Sequence, residues 1–168
     1  EQSLNNPTNK QILTCLNKGA SALLLKDIPT DYLETVLENV LFQYIQTSIQ
    51  SKSIKSSLDT FISLIEKRGI EKNSIKGSLH FDPLMDCLKK GTLNNNLWEN
   101  FRSIQEKSIA LKTFKSVNIQ GVEYHNAGGS ISQELAFTLA QLSEYFANSP
   151  SLEPNKIQIS LGVSTNYF

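Results

Sequence analysis

Three segments of this 168-residue chain place a small or polar side chain at every second position and an apolar one between. That period of two fits an extended strand with two unlike faces. In Ser116–Gln120, Ser116, Asn118 and Gln120 alternate with Val117 and Ile119. Towards the carboxyl end, Gln158, Ser160, Gly162 and Ser164 alternate with Ile157, Ile159, Leu161 and Val163 within a strand expected over Lys156–Val163. Lys76, Ser78 and His80 alternate with Ile75, Gly77 and Leu79 around a strand expected over Lys76–Leu79. Two more strands are expected at Ser21–Lys26 and Phe42–Gln50, and the fourth extends from Phe114 to Gln120.

Stripes of helical period separate these strands. Asp31 and Glu34 form a capping-box pattern ahead of Leu33, Val36, Leu37, Val40 and Leu41. Ile54, Leu58, Phe61, Ile62 and Ile65 share one face, with Gly69 where a left-handed cap ends the helix. Asp82 and Pro83 read as an N-cap and first helical position for a short helix through Leu88 that ends near Gly91. Beyond Asn94–Asn96, Leu97, Phe101 and Ile104 mark another helix. Ser130 with Gln133 caps the last one, whose Leu135, Leu139, Leu142 and Phe146 form the stripe expected to face the core.

Five strands alternating with helices predict an α/β fold with a parallel sheet. Strands covered by helices on both faces would be nearly continuous in Val, Ile and Leu, whereas these have one polar face. An antiparallel sheet with one wet face would share the pattern, but the intervening helices favour a partial (β/α)8 TIM-type barrel whose polar face lines the interior. An ordinary barrel fills its interior with branched apolar side chains, so this lining leaves room for water or an extended polar ligand. Residues 1–168 read as a single domain. Five strands cannot close an eight-stranded barrel, and a chain running from Glu1 to Phe168 reads as a fragment of something longer. Its edge strands, near Ser21 and Ile159, are then expected to pair with a second copy.

The balance of 16 basic and 16 acidic residues removes the broad electrostatic attraction of a nucleic-acid binder or a polybasic membrane protein. No stretch approaches the roughly 20 apolar residues of a membrane span, and the polar amino end is no signal peptide. Cys15 and Cys87 lie far apart and outside any CxxC pattern, which fits small apolar residues of a reduced, cytoplasmic compartment rather than a disulfide or reactive thiol. His80 and His125, the only histidines, have no cysteine at metal-ligand spacing.

Function is expected at the strand-to-helix junction in Ser116–Phe146, because ligands of α/β proteins bind where loops leave the carboxyl ends of strands. Gln120, Glu123, Tyr124, His125 and Asn126 stand there, and His80 has the parity to point into the interior. These six are the candidate substrate-binding residues; none is assigned to catalysis or metal binding. His125 is also placed to tie down its own loop, and Glu123 to act as a solvated or capping carboxylate. Asp82 suits an N-cap better than a catalytic acid, and Gly128 and Gly129 serve loop geometry. Phe137, Tyr145 and Phe146 are expected in helix packing, and Trp98 in the core or at an interface.

The run YHNAGGSISQELAFTLAQLSEYF at Tyr124–Phe146 resembles the substrate-binding barrel of the methylmalonyl-CoA mutase family, in particular its small (beta) subunits. LNKGASALLLKDI at Leu16–Ile28, KGSLHFDPLMDCLKKG at Lys76–Gly91 and ISLGVSTNYF at the carboxyl end fit the same pattern in order. The resemblance implies a (β/α)8 barrel threaded by the pantetheine arm of an acyl-CoA, of which this chain is an incomplete piece. It also implies an adenosylcobalamin-dependent isomerase interconverting methylmalonyl-CoA and succinyl-CoA. The cobalamin is gripped by a separate domain through an Asp-x-His-x-x-Gly motif that this chain lacks, so the coenzyme belongs to the holoenzyme and is not bound by this fragment alone.

Departures from the catalytic pattern carry the functional reading. Where catalytic subunits resemble G-Y-H-M-Q-E-A-G, this chain has Glu123 in place of the first histidine and His125 in place of glutamine. Where they resemble G-T-I-Q-N-D, His80 replaces the glutamine and Phe81 the asparagine, while Asp82 is kept. A neutral imidazole donates to a thioester oxygen and stabilises charge developing there; an ionised carboxylate repels it. The resemblance therefore implies a noncatalytic small subunit partnered by a catalytic large (alpha) subunit. The alternatives are the acyl-CoA-binding domain of an active mutase and a CoA-ester binding module without chemistry.

Overall fold

The computed structural model describes residues 1–163, and each strand pairing it contains is parallel. Strands β1 (Gln2–Asn5), β2 (Ala22–Lys26) and β3 (Gln46–Gln50) pair in that order. Bridges from Gln46 to Lys76 and from Ile49 to Leu79 carry the sheet on to β4 (Gly77–Ser78), which pairs with β5 (Phe114–Lys115). Past a break at Ser116, β6 (Val117–Gln120) pairs with β7 (Ile157–Ser160). Helices α1 (Asn9–Asn17), α2 (Leu33–Val36), α3 (Ile54–Lys67), α4 (Pro83–Lys90), α5 (Leu97–Ser108), α6 (Val122–Asn126) and α7 (Ile131–Asn148) fill the connections. The architecture is α/β with sequential parallel strands, and no helix among the described residues is long and apolar enough to cross a membrane.

Why these helices form where they do is mostly local. Asp82 accepts from the Met85 amide ahead of Pro83, and Gly91 closes α4 in the left-handed conformation. Gly69 follows α3 at φ +62°. On α3, Leu58, Phe61 and Ile65 are fully buried, each worth about 1.5–3 kcal/mol relative to exposure. Phe61 meets the edge of Phe42 at 5.3 Å between ring centres. A second apolar cluster joins Phe101, Val117, Ile119, Tyr145 and Leu152.

Several expectations need correction. The polar amino end holds both β1 and α1: Thr8 and Gln11 form a capping box, and β1 is an edge strand held by β2 rather than by its own hydrophobicity. Among the described residues the sheet therefore has six strand positions, and its first edge is β1, not the segment near Ser21. The Asp31–Glu34 capping box does not form. A 3-10 turn at Thr30–Tyr32 follows Pro29 without a side-chain cap, and α2 ends before Val40 and Leu41. The strand expected from Phe42 starts at Gln46, because Phe42 is committed to the core. The last strand is Ile157–Ser160, and Ser164, like the end of the ISLGVSTNYF run, lies outside the described residues.

Ser116 leaves the face assigned to it. Phe114 and Val117 both enter the apolar clusters, so parity breaks between them at Ser116, whose amide still donates to the Lys156 carbonyl over 2.9 Å. The Ser116 hydroxyl turns to Gln105 on α5, while Asn118 returns to the polar face.

The largest departure is the face of α7. Its Ser130–Gln133 capping box forms as expected. Glu134, Thr138, Gln141 and Tyr145 are the buried residues, whereas Leu135 and Leu139 are each 48% exposed and Ile131 is 77% exposed. Only Leu142 and Phe146 of the apolar stripe reach the second cluster, and Trp98 packs beside them, edge-on to Phe101 and Tyr145. Phe137 is half-exposed and lies 5.3 Å from the Tyr124 ring.

Candidate functional site

Strand register determines the inner face. Asn5, Lys26 and Gln50 pair across β1, β2 and β3, and the Ile49–Leu79 bridge puts His80 beside Gln50. His80 in turn meets Asn118, whose Nδ2 lies 3.3 Å from the imidazole Nδ1, and the Ser160 hydroxyl donates to Asn118 Oδ1 over 3.0 Å. One row below, the Ser78 hydroxyl donates to Ser48 over 3.0 Å. The polar parity thus continues through register across β3, β4, β6 and β7. The sheet also curls. Glu1, Ser21 and Ala22 at one end and Ile157 and Gln158 at the other line a single cavity of about 620 Å³, with Ser48, Ser78 and Lys115 between them.

Burial holds the His80 imidazole below its ordinary pKa, which keeps it neutral; Lys26 adds to the effect and Glu1 opposes it. Its Nε2 is buried and has no hydrogen-bond partner among the described residues.

Beside this row, Asp82 gathers four donors. Oδ1 accepts from the Met85 amide at 3.1 Å, from Tyr145 at 2.7 Å and from Gln141, and Oδ2 accepts from the Gln120 amide at 2.8 Å. Burial pushes its carboxyl up, against the pull of the hydrogen bonds from Tyr145, Gln120 and Met85. Tyr145 also accepts from the Leu84 amide and stacks on Phe101 at 4.8 Å. Asp82 therefore ties the start of α4, the end of β6 and the buried face of α7 together. With its acceptor positions occupied, it is an anchor rather than a free acid.

The segment after Gln120 is a short helix rather than an open loop, and successive residues on a helix point about 100° apart. Its side chains therefore do not converge. Glu123 pairs with Lys89 of α4 at 3.0 Å. Tyr124 donates to Gln141 over 3.0 Å and lines a groove of about 500 Å³ between α4 and α7 with Leu84, Leu88, Leu93 and Phe137. His125 Nδ1 stands 3.4 Å from Glu134 Oε2, at ion-pair distance but without hydrogen-bond geometry. Its ring also lies against Gly162, where a Cβ would come within 2.9 Å of it, and the Gly162 amide donates to Glu134 over 2.5 Å. Asn126 is exposed, and Gln120 contributes its backbone amide to Asp82. Gly128 adopts φ +94°, and a Cβ on Gly129 would lie 2.8 Å from the Tyr124 carbonyl oxygen.

Of the six candidates, only His80 stands in the hydrogen-bonded polar row. Asn118 and Ser160, which complete that row, were visible in the period-two pattern but not as partners of His80. The link from Asp82 to Gln141 and Tyr145 had no sequence signal, since the residues lie about 60 positions apart.

The family model described as Methylmalonyl-CoA mutase matches residues 25–155. Over 95% of this chain, the methylmalonyl-CoA mutase small subunit of Porphyromonas gingivalis is 26% identical, and the chain spans 28% of that relative's length. The small subunit of Streptomyces virginiae is 27% identical over 82% of the chain and 23% of its own length. A 2-hydroxyisobutanoyl-CoA mutase large subunit from Aquincola tertiaricarbonis is 28% identical over 67% of the chain and 21% of its own length. The matches include both subunit types, so particular residues must separate them.

Proposed function

The chain belongs to the methylmalonyl-CoA mutase family, and from that premise we propose that it is part of the substrate barrel of a noncatalytic small subunit. The observation that carries this reading is Glu123. In the family pattern its position belongs to a histidine that assists the substrate carbonyl, and here the side chain is an acid paired with Lys89. A carboxylate engaged with a lysine beside α4 cannot donate to an oxygen on which negative charge develops.

On this reading the curled parallel sheet is six strands of a (β/α)8 barrel. The polar cavity from β1 to β7 is the channel for an acyl-CoA, and the isomerisation of methylmalonyl-CoA to succinyl-CoA occurs in a catalytic large subunit bound to this one. Adenosylcobalamin belongs to that partner. Its lower histidine ligand has no fitting counterpart here: His125 stands in a Glu-x-His-x-x-Gly setting, yet its ring is turned against Glu134 and Gly162. No step of the reaction passes through the coenzyme on this chain. Self-association of the 168-residue chain through its open sheet edges is part of the same proposal, supported by the 42% exposure of Ile159 on the last strand.

The test is isomerase activity of the full-length polypeptide without its partner subunit. We expect none, and substantial turnover overturns the reading. In the assembled complex, Glu123→Ala should change turnover by less than tenfold. The rival, an active substrate domain, requires a loss of tenfold or more, about 1.4 kcal/mol in the barrier.

A further inference from the structure

A lysine is buried at the amino end of β7. Lys156 closes a 3-10 turn at Pro154–Lys156, directly before that strand, and is 7% exposed. Its ammonium donates to the Ser108 carbonyl over 3.1 Å and to the Leu111 carbonyl over 2.6 Å, at the end of α5. An ammonium carries three N–H groups and accepts nothing, so the sense of both bonds is fixed and one N–H is left over. Among the described residues no third acceptor meets it, and no carboxylate stands at ion-pair distance. Buried charges are normally paired, because an unpaired one forfeits its hydration. The carboxyl end of α5 supplies the equivalent of only about half a negative charge. Burial accordingly holds the Lys156 amine below its usual pKa; Glu153 opposes the effect and Lys115 adds to it.

The same lysine lines a cavity of about 330 Å³ with Ser108, Ile109, Lys112 and Leu152. Lys112 adds a second cation, and Ile109 and Leu152 give the cavity an apolar wall. Glu106 and Glu153 line it too, but both are exposed, where water and salt screen their charge. We propose that this cavity binds a small monocarboxylate, its carboxylate on Lys156 and Lys112 and its short apolar tail against Leu152 and Ile109. A single negative charge completes the buried cation; the second charge of a phosphate would meet Glu106 and Glu153. The cavity shares no residue with the polar one between β1 and β7, and it lies at the opposite end of the parallel strands from Gln120–Asn126. The inference therefore does not rest on the family reading.

Sodium butyrate is the probe, followed by saturation-transfer NMR and calorimetry on the unmodified full-length polypeptide. We expect a Kd of about 1 mM or tighter. Butyramide has the same shape without the charge, and it should bind at least about tenfold more weakly. Inorganic phosphate should displace butyrate only at higher concentration than butyrate itself. Absence of butyrate binding, equal binding of butyramide, or displacement by phosphate at lower concentration overturns the inference. None of these measurements depends on a folding-sensitive variant.

Two variants then locate the site. Lys156→Met keeps the stem and removes the charge, and a folded variant should bind butyrate about tenfold more weakly or worse. Lys112 is exposed, so Lys112→Met tests the same cavity without touching the caps of α5; binding should weaken about threefold. Unchanged affinity in a folded Lys156→Met chain, or in Lys112→Met, places the butyrate elsewhere and overturns the inference. If Lys156→Met does not fold, Lys112→Met decides. Isomerase activity is not a readout here, so failure of this inference leaves the proposed function standing.

Discussion

The Tyr145 hydroxyl donates to Asp82 Oδ1 over 2.7 Å, although 63 positions separate the two residues. This bond explains why a helix with a long apolar stripe turns its polar side inward. Gln141 and Tyr145 both reach Asp82, the Glu134 carboxylate accepts from the Gly162 amide, and Thr138 occupies the space that Gly121 leaves without a side chain. Together they seat that face of α7 through hydrogen bonds where apolar packing would be expected.

Asp82→Ala leaves Tyr145, Gln141 and two backbone amides without their acceptor. We expect a loss of about 3–5 kcal/mol by urea denaturation, the scale seen when one partner of a buried charged network is removed. Tyr145→Phe should cost about 1–2 kcal/mol. Losses near zero for both would show that the network does not seat α7.

The exposed half of the α7 stripe gives the opposite expectation. Leu135→Gln and Leu139→Gln should each change stability by about 0.5 kcal/mol or less, where a core leucine would cost about 2–5 kcal/mol on truncation. Both should also lower self-association in concentration-dependent light scattering if that stripe joins two copies. A core-sized loss in the monomer would place the stripe inside.

His80 makes stability depend on acid pH. Burial lowers its folded pKa below the ordinary value of 6.5, so below that pH the unfolded chain takes up a proton that the folded chain refuses. Stability therefore falls as pH drops below about 6.5, with a slope of up to about 1.4 kcal/mol per pH unit from this group. Denaturation midpoints between pH 7 and pH 5 should show the fall, and His80→Gln should flatten it. An equal slope in the variant would assign the effect to other groups.

Glu123 and Lys89 form a partly exposed pair. Lys89→Met should cost no more than about 1 kcal/mol in thermal denaturation. A larger loss would mean that Glu123 is held far more firmly than its exposure implies.

Gly77 stands at φ +143°, where a Cβ would lie 2.0 Å from the Thr47 carbonyl oxygen. Gly77→Ala should therefore disrupt the junction of β3 and β4 and cost about 3 kcal/mol or more. Near-native stability would require a backbone shift, visible as altered amide exchange at Thr47.

The sequence by itself determined the elements whose signals are local. The Asp82–Pro83 start of α4, the Ser130–Gln133 cap of α7, the glycines beyond α3 and α4, and the alternation of polar and apolar residues all depend on neighbours a few positions away. The cap at Thr8 and Gln11, followed by Ile12, Leu13, Cys15 and Leu16 at helical spacing, was equally local, whereas β1 buries no residue and is a strand only through its pairing with β2. Tertiary structure decided the rest. The parity break at Ser116 depends on where Phe114 and Val117 find core space, the inward face of α7 depends on a carboxylate about 60 residues upstream, and the row from His80 through Asn118 to Ser160 depends on strand register. Periodicity reports that a helix has two unlike faces. Which face turns inward is settled by the donors and acceptors that meet it when distant segments pack, and for α7 those partners were polar.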